Sequence, residues 1–183
     1  MNDDSSRHPP GELRLVQQLV NSVDLEGVRD ELSSPEALAE WLREHELAEP
    51  GETFGHEDLA RALSFREALR GLLLANNEGD LDPAALAVLN AAARGAELVV
   101  ALDDRGRARL EPESGGIDRV FGHLLGVVAQ AQAEGTWNRL KACPWHTCHW
   151  AFYDHSRNRS RTWCAMSVCG NRAKAQAYRR RQG

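Results

Sequence analysis

Two pairs of cysteines near the C-terminus are the feature that most restricts how this chain can fold. The chain has four cysteines among its 183 residues, and all of them lie in one short region. Four residues separate Cys143 from Cys148, four separate Cys164 from Cys169, and fifteen lie between the two pairs. Such matched spacing in a chain that otherwise lacks cysteine indicates that the four thiols act together.

Four thiolates on two short turns are a common ligand set for structural zinc, which favours tetrahedral sulfur coordination. Between the pairs, WAFYD and RTWCAM are typical of two short strands around a Ser/Asn/Arg-rich tip. A unit of this size buries too little apolar surface to fold alone, and zinc can contribute about 10–16 kcal/mol of apparent folding free energy. We therefore predict one structural zinc ion, held by Cys143, Cys148, Cys164 and Cys169.

Other assignments of the four sulfurs remain open from the sequence. Two disulfides have three possible connectivities, but the N-terminus MNDDSSRHPPGE lacks the pattern of an export signal. We therefore expect a reducing cytoplasm, where structural disulfides rarely persist. An iron–sulfur cluster also takes four thiolates, and the thiols are also compatible with a buried, reduced set. Finally, His146, His149 or His155 would complete a Cys3His site by replacing one sulfur.

Charge is divided unevenly along the chain. Residues 137–183 hold ten lysines and arginines and a single acid, Asp154, for a formal charge of +9, whereas the preceding residues carry −14. This asymmetry predicts two units with different partners, the basic one binding an anionic molecule. We expect a disordered tail at 1–10, a regulatory or dimerisation domain at 11–136 and a zinc finger at 137–183.

The first 136 residues have the apolar spacing and the start signals of helices. Predicted helices are Leu13–Val23, one that starts at Ser34-Pro35-Glu36, His56–Ala75, one from Asp82-Pro83 to Gly95, and Ile117–Glu134. ELVVAL, DDRG and RARLE predict one β-hairpin. The expected fold is α+β and mostly helical, followed by a small treble-clef-like or zinc-ribbon-like finger of knuckle, β-hairpin and helix, the helix being GNRAKAQAYRRR.

The C-terminal stretch CPWHTCHWAFYDHSRNRSRTWCAMSVCGNRAKAQAYRRR closely resembles the CGNR-type zinc finger, named for the residues that stand here as Cys169-Gly170-Asn171-Arg172. The preceding part, with NSVD and SPEALAEWL, is similar to the helical domain that accompanies this finger in stress-related transcription regulators. The resemblance implies a bacterial regulator whose zinc-bound finger binds DNA, and it identifies the four cysteines as zinc ligands.

A basic finger would bind phosphates through lysines and arginines. Our candidates for nucleic-acid contacts are Arg157, Asn158, Arg159, Arg161, Arg172 and Lys174. A single finger offers little affinity or selectivity, so we expect a homodimer, with the N-terminal domain mediating dimerisation or sensing a small-molecule effector. RNA binding, and a zinc-stabilised protein-interaction module without nucleic-acid binding, are the alternatives.

Two function classes are not expected from this sequence. Four protein ligands leave zinc no open position for water, and no catalytic constellation or phosphate-binding glycine loop is present, so we expect no enzymatic activity. No run of 18 apolar residues occurs, so we expect no membrane partner and a cytoplasmic location.

Overall fold

The computed structural model describes residues 8–182, and six helices and six short strands make up this part of the chain. The helices are α1 Leu13–Val20, α2 Pro35–Glu44, α3 His56–Ala75, α4 Pro83–Gly95, α5 Gly116–Ala133 and α6 Asn171–Gln182. The strands are β1 Val23–Asp24, β2 Arg29–Asp30, β3 Leu98–Leu102, β4 Ala108–Pro112, β5 Leu140–Ala142 and β6 Ala151–Tyr153. They form three antiparallel pairs, β1–β2, β3–β4 and β5–β6. The predicted α+β, mostly helical class is confirmed.

Most of the predicted helix starts are confirmed by the local hydrogen bonds. The Ser34 hydroxyl accepts a bond from the Ala37 amide over 3.2 Å, as expected of an N-cap, with proline at the first helical position. Asp82 caps α4 in the same way, and α3 has the predicted bounds. The predicted tail at 1–10 falls mostly outside the described residues.

The first helix ends three residues earlier than predicted, at Val20 rather than Val23. Val23 instead pairs with Asp30 in the β1–β2 ladder. The Asp24 carboxylate accepts bonds from two amides of the connecting turn and so holds this hairpin closed. The sequence predicted one hairpin before the finger, and the structure contains a second one whose strands are two residues long.

The hairpin of the finger is also different from the predicted one. β6 pairs with β5, which precedes the first cysteine pair, and RTWCAM forms no strand. The backbone of that segment is bound by side chains instead: the Thr162 carbonyl accepts from Asn77, and the Arg161 amide donates to Asp154. The first cysteine pair consequently lies in the turn of β5–β6.

One apolar core runs through both the helical part and this hairpin. The buried side chains of Leu140, Ala142, Ala151 and Tyr153 belong to the same cluster as the buried residues of α1, α2, α3 and α5. Leu140, Ala142 and Ala151 are completely buried. The helical part and the β5–β6 hairpin are therefore packed as one body.

Amide side chains of the helical part bind the backbone of the finger. Asn21 pairs with Ala151 in both directions, accepting from its amide over 2.7 Å and donating to its carbonyl over 2.9 Å. Asn77 donates to the carbonyls of Ala142 and Thr162 over 2.9 and 2.7 Å. Because Asn77 is buried, these bonds satisfy backbone groups that water cannot reach.

A buried arginine joins the β1–β2 hairpin to α3. Arg66 donates to both carboxylate oxygens of Asp30 over 2.7 and 2.8 Å and to the Ser22 hydroxyl. Burial alone would raise the pKa of Asp30, but the hydrogen bonds from Arg66 and the Leu32 amide hold that pKa below its usual range. The two parallel hydrogen bonds to the Asp30 carboxylate neutralise the positive charge of the buried Arg66 guanidinium.

Asn77→Ala tests the docking of the finger on the helical part. The change removes the donor from two backbone carbonyls in a buried environment, so we expect the free energy of unfolding to fall by about 1–3 kcal/mol. Urea denaturation with saturating zinc measures it. Asn90→Ala, on the exposed side of α4, is the matched control and should leave the free energy unchanged within about 0.5 kcal/mol. Equal effects of the two changes would contradict this role of Asn77.

Candidate metal centre and cationic surface

The four cysteine sulfurs converge at one point of the structure. All four lie within 4.8 Å of one another, with 3.5 Å between Cys148 and Cys164 and 3.7 Å between Cys164 and Cys169. A tetrahedral zinc site with bonds of about 2.3 Å separates its sulfurs by about 3.8 Å. The arrangement fits that geometry. It confirms the predicted cofactor, since the four cysteines are close enough to hold one zinc ion.

The first cysteine pair is positioned by backbone bonds within the β5–β6 turn. The Cys143 amide donates to the Trp150 carbonyl over 3.0 Å, which continues the ladder by one step. The Cys148 amide donates to the Trp145 carbonyl over 2.8 Å and closes the knuckle. Both sulfurs are thereby turned towards the same side of the hairpin end.

The second pair is supplied by an irregular segment and a single π-helical turn, Met166–Gly170, that leads directly into α6. The carbonyl of Cys164 accepts a hydrogen bond from the Arg161 guanidinium. Gly170 is buried, and a side chain there would collide with the Met166 sulfur and press on the Trp163 ring. A larger residue in the turn that presents Cys169 would therefore need the Met166 side chain to move and the Trp163 ring to shift slightly.

The thiols perturb one another strongly in the absence of a cation. Hydrogen bonds from Cys148 and Cys164 lower the pKa of Cys143, and the resulting thiolate raises the pKa of both partners. Burial raises the pKa of Cys169. One negative charge is therefore stabilised at the expense of the other three, which a divalent cation would relieve by binding all four as thiolates.

The alternative ligand sets can be compared with this geometry. All four cysteines are free thiols, so neither pair forms a disulfide. Within residues 8–182, no histidine belongs to the group that could hold a metal ion. His146 and His155 are exposed, and His149 also lies outside that group. The four-cysteine set is therefore the one that the geometry favours.

Aromatic side chains enclose the sulfurs in a second, smaller core. Cys143, Phe152 and Cys169 are buried together, and the rings of Trp145 and Trp163 pack against them. Such a shell excludes water from metal–thiolate bonds. Trp137 and Tyr153 belong to the main core instead, and Trp150 and Tyr178 are 40% and 64% exposed.

The single acid of the finger is buried beneath its tip. Asp154 is fully buried and accepts a bond from the Lys141 ammonium over 3.0 Å and from the Ser156 hydroxyl over 2.6 Å. Lys141 also donates to the carbonyls of Arg159 and Arg161. This buried pair thus holds the loop that links the two cysteine pairs.

The pKa of Asp154 follows from the same contacts. Burial alone would raise the pKa, but hydrogen bonds from Ser156, Lys141 and the Arg161 amide lower it to about 2. Because the pKa is lowered on folding, the stabilisation is complete above about pH 4 and is lost as the pH falls towards 2. The ion pair therefore persists at neutral pH.

The residues predicted to contact nucleic acid are all exposed. They are Arg157, Asn158, Arg159, Arg161, Arg172 and Lys174. Arg157, Asn158 and Arg159 form the tip of the loop above the buried acid, and Lys174 lies one turn into α6. The structure thus brings the candidates to two places, the loop tip and the start of the last helix.

Two of these candidates are bound to other parts of the protein. The Arg161 guanidinium donates to the Cys164 carbonyl and lies 4.9 Å from the centre of the Phe152 ring, so it supports the metal shell. Arg172 forms an ion pair with Glu26, in the turn of the β1–β2 hairpin. Sequence reasoning treated both as free cations.

The structural roles of Asp154 and Lys141 were not predicted from the sequence. Lys141 was counted among the cations of the basic segment, although it is only 6% exposed. One signal was available: an acid that stands alone among ten basic residues is a good candidate for a structural ion pair. Asn21 and Asn77 were missed as well, because their partners lie far along the chain.

Removing one ligand tests the metal centre. Cys164→Ser leaves three thiolates, and we expect zinc content to fall well below one ion per chain, with a change in near-UV circular dichroism as the tryptophan shell loosens. Elemental analysis of the purified protein measures the zinc. Ser167→Ala, an exposed position within the second pair, is the control that should keep full zinc. A full zinc complement in Cys164→Ser would contradict the assignment.

Asp154→Asn tests the buried pair. The change leaves the Lys141 ammonium buried without a counter-ion, so we expect a loss of about 3–5 kcal/mol in the free energy of unfolding at pH 7. Urea denaturation with saturating zinc gives the value, and Asp104→Asn, at an exposed position, is the matched control. A loss in Asp154→Asn no greater than in the control would show that the pair contributes little.

Two family models match the chain. Residues 139–182 match the CGNR zinc finger, and residues 13–135, more than half of the chain, match the model named ABATE. Both agree with the resemblance seen in the sequence. No curated protein matches the chain. The chain therefore belongs to the ABATE family, described as a putative stress-induced transcription regulator, and carries a CGNR zinc finger near its C-terminus.

Proposed function

We propose that this protein is a transcription regulator that binds DNA through its zinc finger. The observation that carries the proposal is the burial of Asp154, the only acid in residues 137–183, against Lys141. With its acid neutralised inside, this segment presents positive but no negative side chains to solvent. Such a surface attracts the phosphate backbone and releases condensed counterions.

The zinc ion acts as a structural element in this mechanism. When bound, it would hold the loop tip and α6 on one small frame through the four cysteines. Arg157 and Arg159 at the tip and Lys174 on α6 are then available for phosphates, as are the three exposed arginines that end the helix. Asn158, exposed between the two tip arginines, has an amide group that suits contact with a base edge.

Four protein sulfurs around the metal also support a non-enzymatic role. A zinc ion with four thiolate ligands has no position for a substrate or an activated water. The aromatic shell further restricts access to the metal. We therefore propose that the protein acts by binding and not by catalysis.

A cleft between the helical part and the finger supports effector sensing. It has a volume of about 610 Å³, and its walls include Gln18 and Trp41 from the helices and Trp150 and Arg161 from the finger. A volume of this size suits a drug-sized molecule. The side-chain oxygen of Gln18 is buried without a hydrogen-bond partner. A small molecule bound in this cleft would touch both parts, and dimerisation through the helical part would supply the selectivity that one finger lacks.

Replacing the two tip arginines tests DNA binding. Arg157→Gln together with Arg159→Gln removes two phosphate contacts, so we expect weaker binding to duplex DNA and a salt slope that is about 1.8 units shallower. Fluorescence anisotropy over a series of salt concentrations measures both. Arg29→Gln with Arg94→Gln removes the same charge from exposed positions of the helical part and should have little effect.

Parallel titrations with other partners separate the proposal from its alternatives. Preferential binding to single-stranded RNA over duplex DNA would favour an RNA-binding protein. The absence of binding to any nucleic acid at low salt would reject the proposal and favour an interaction module.

A further inference from the structure

The turn of the β1–β2 hairpin places a carboxylate against the finger. One oxygen of Glu26 accepts a hydrogen bond from the Thr147 hydroxyl over 3.1 Å and pairs with the Arg172 guanidinium. The amide of Glu26 donates to the Asp24 side chain over 3.0 Å, so the turn itself holds the residue in place. A single acid of the helical part therefore engages both the first knuckle and the start of α6.

The two groups that hold this carboxylate are those that bind a phosphate. A guanidinium and a hydroxyl that converge on one anionic oxygen are a common phosphate-binding combination. Thr147 lies within the first cysteine pair, and Arg172 is the third residue after the last cysteine. Both are therefore close in sequence to the four metal-binding cysteines. Lys174 lies two residues further along, on the same basic helix. The anion site is thus part of the cationic surface described above.

The contact is not needed to dock the finger on the helical part. A continuous apolar core and buried bonds from Asn21, Asn77 and Arg70 already join the two. In contrast, the side chains of Arg172 and Glu26 are 43% and 37% exposed. An exposed pair of this kind stabilises a fold only slightly. Among the described residues it is the one ion pair between the helical part and the finger, and nucleic acid can compete for it.

We propose that Glu26 occupies a phosphate site formed by Arg172 and Thr147, and that DNA must displace this carboxylate to gain the site. The inference rests on the proposed function, since it assigns one phosphate contact of the same surface. Glu26 then weakens DNA binding from within the chain, and a change in the β1–β2 turn alters the affinity of the finger without touching the loop tip. This contact links the helical part to DNA affinity.

Glu26→Gln tests the inference in the full-length zinc-bound protein. We expect duplex DNA to bind about three- to tenfold more tightly, with a salt slope steeper by about 0.9 because one more phosphate is engaged. Glu113→Gln is the matched control, since it removes the same charge from an exposed position of the helical part away from that cleft. Adding Arg172→Ala to Glu26→Gln should abolish the gain.

The outcomes separate this inference from the proposed function. Binding by the wild type, with Glu26→Gln no tighter than Glu113→Gln, would reject the inference and leave DNA binding intact. A gain in Glu26→Gln that survives Arg172→Ala would also reject it, because the released site would not be the one assigned. The absence of DNA binding by every variant at low salt would reject both.

Discussion

The convergence of four sulfurs within 4.8 Å is the constraint on which the architecture of the finger depends. Thiols brought this close cannot all ionise without a cation, and without ionisation they contribute few contacts to hold loops together. The protein therefore needs other interactions to bring the four cysteines near one another. The buried pair of Lys141 and Asp154 and the ladder of β5 and β6 supply them. These contacts and a bound metal ion would therefore hold the same two cysteine turns.

That frame is anchored in the helical part. Leu140, Ala142 and Ala151 lie in the main apolar core, and their backbone groups are bound by the asparagines that directly follow α3 and α1. Zinc fingers that stand alone take their folding free energy from the metal. Here the β5–β6 pair also takes part of its stability from a larger core, so contacts with the helices, and not the metal alone, fix the position of the finger.

Local patterns predicted the helices and the ligands, whereas distant contacts decided the rest. The Ser34 cap and the bounds of α3 depend on neighbouring residues, and the sequence predicted both correctly. The cysteine spacing likewise predicted that the four sulfurs lie close together. The strand at Leu140 depends on an asparagine 64 residues away, and the partner of Arg172 is 146 residues away. No periodicity or spacing reports such pairs, which explains why RTWCAM was assigned as a strand and Arg172 as a free cation.

The number of basic residues in 137–183 therefore overstates how many positive side chains are available to DNA phosphates. Arg139 and Lys141 bind backbone carbonyls, Arg161 supports the metal shell, and Arg172 is paired with Glu26. Among residues 8–182, the positive charges of this segment that bind neither an acid nor a backbone carbonyl lie at the loop tip and along α6, two elements that the four cysteines hold together. Affinity for phosphates then depends on how those two elements are held, so zinc, the buried acid and the β1–β2 turn all influence the same surface.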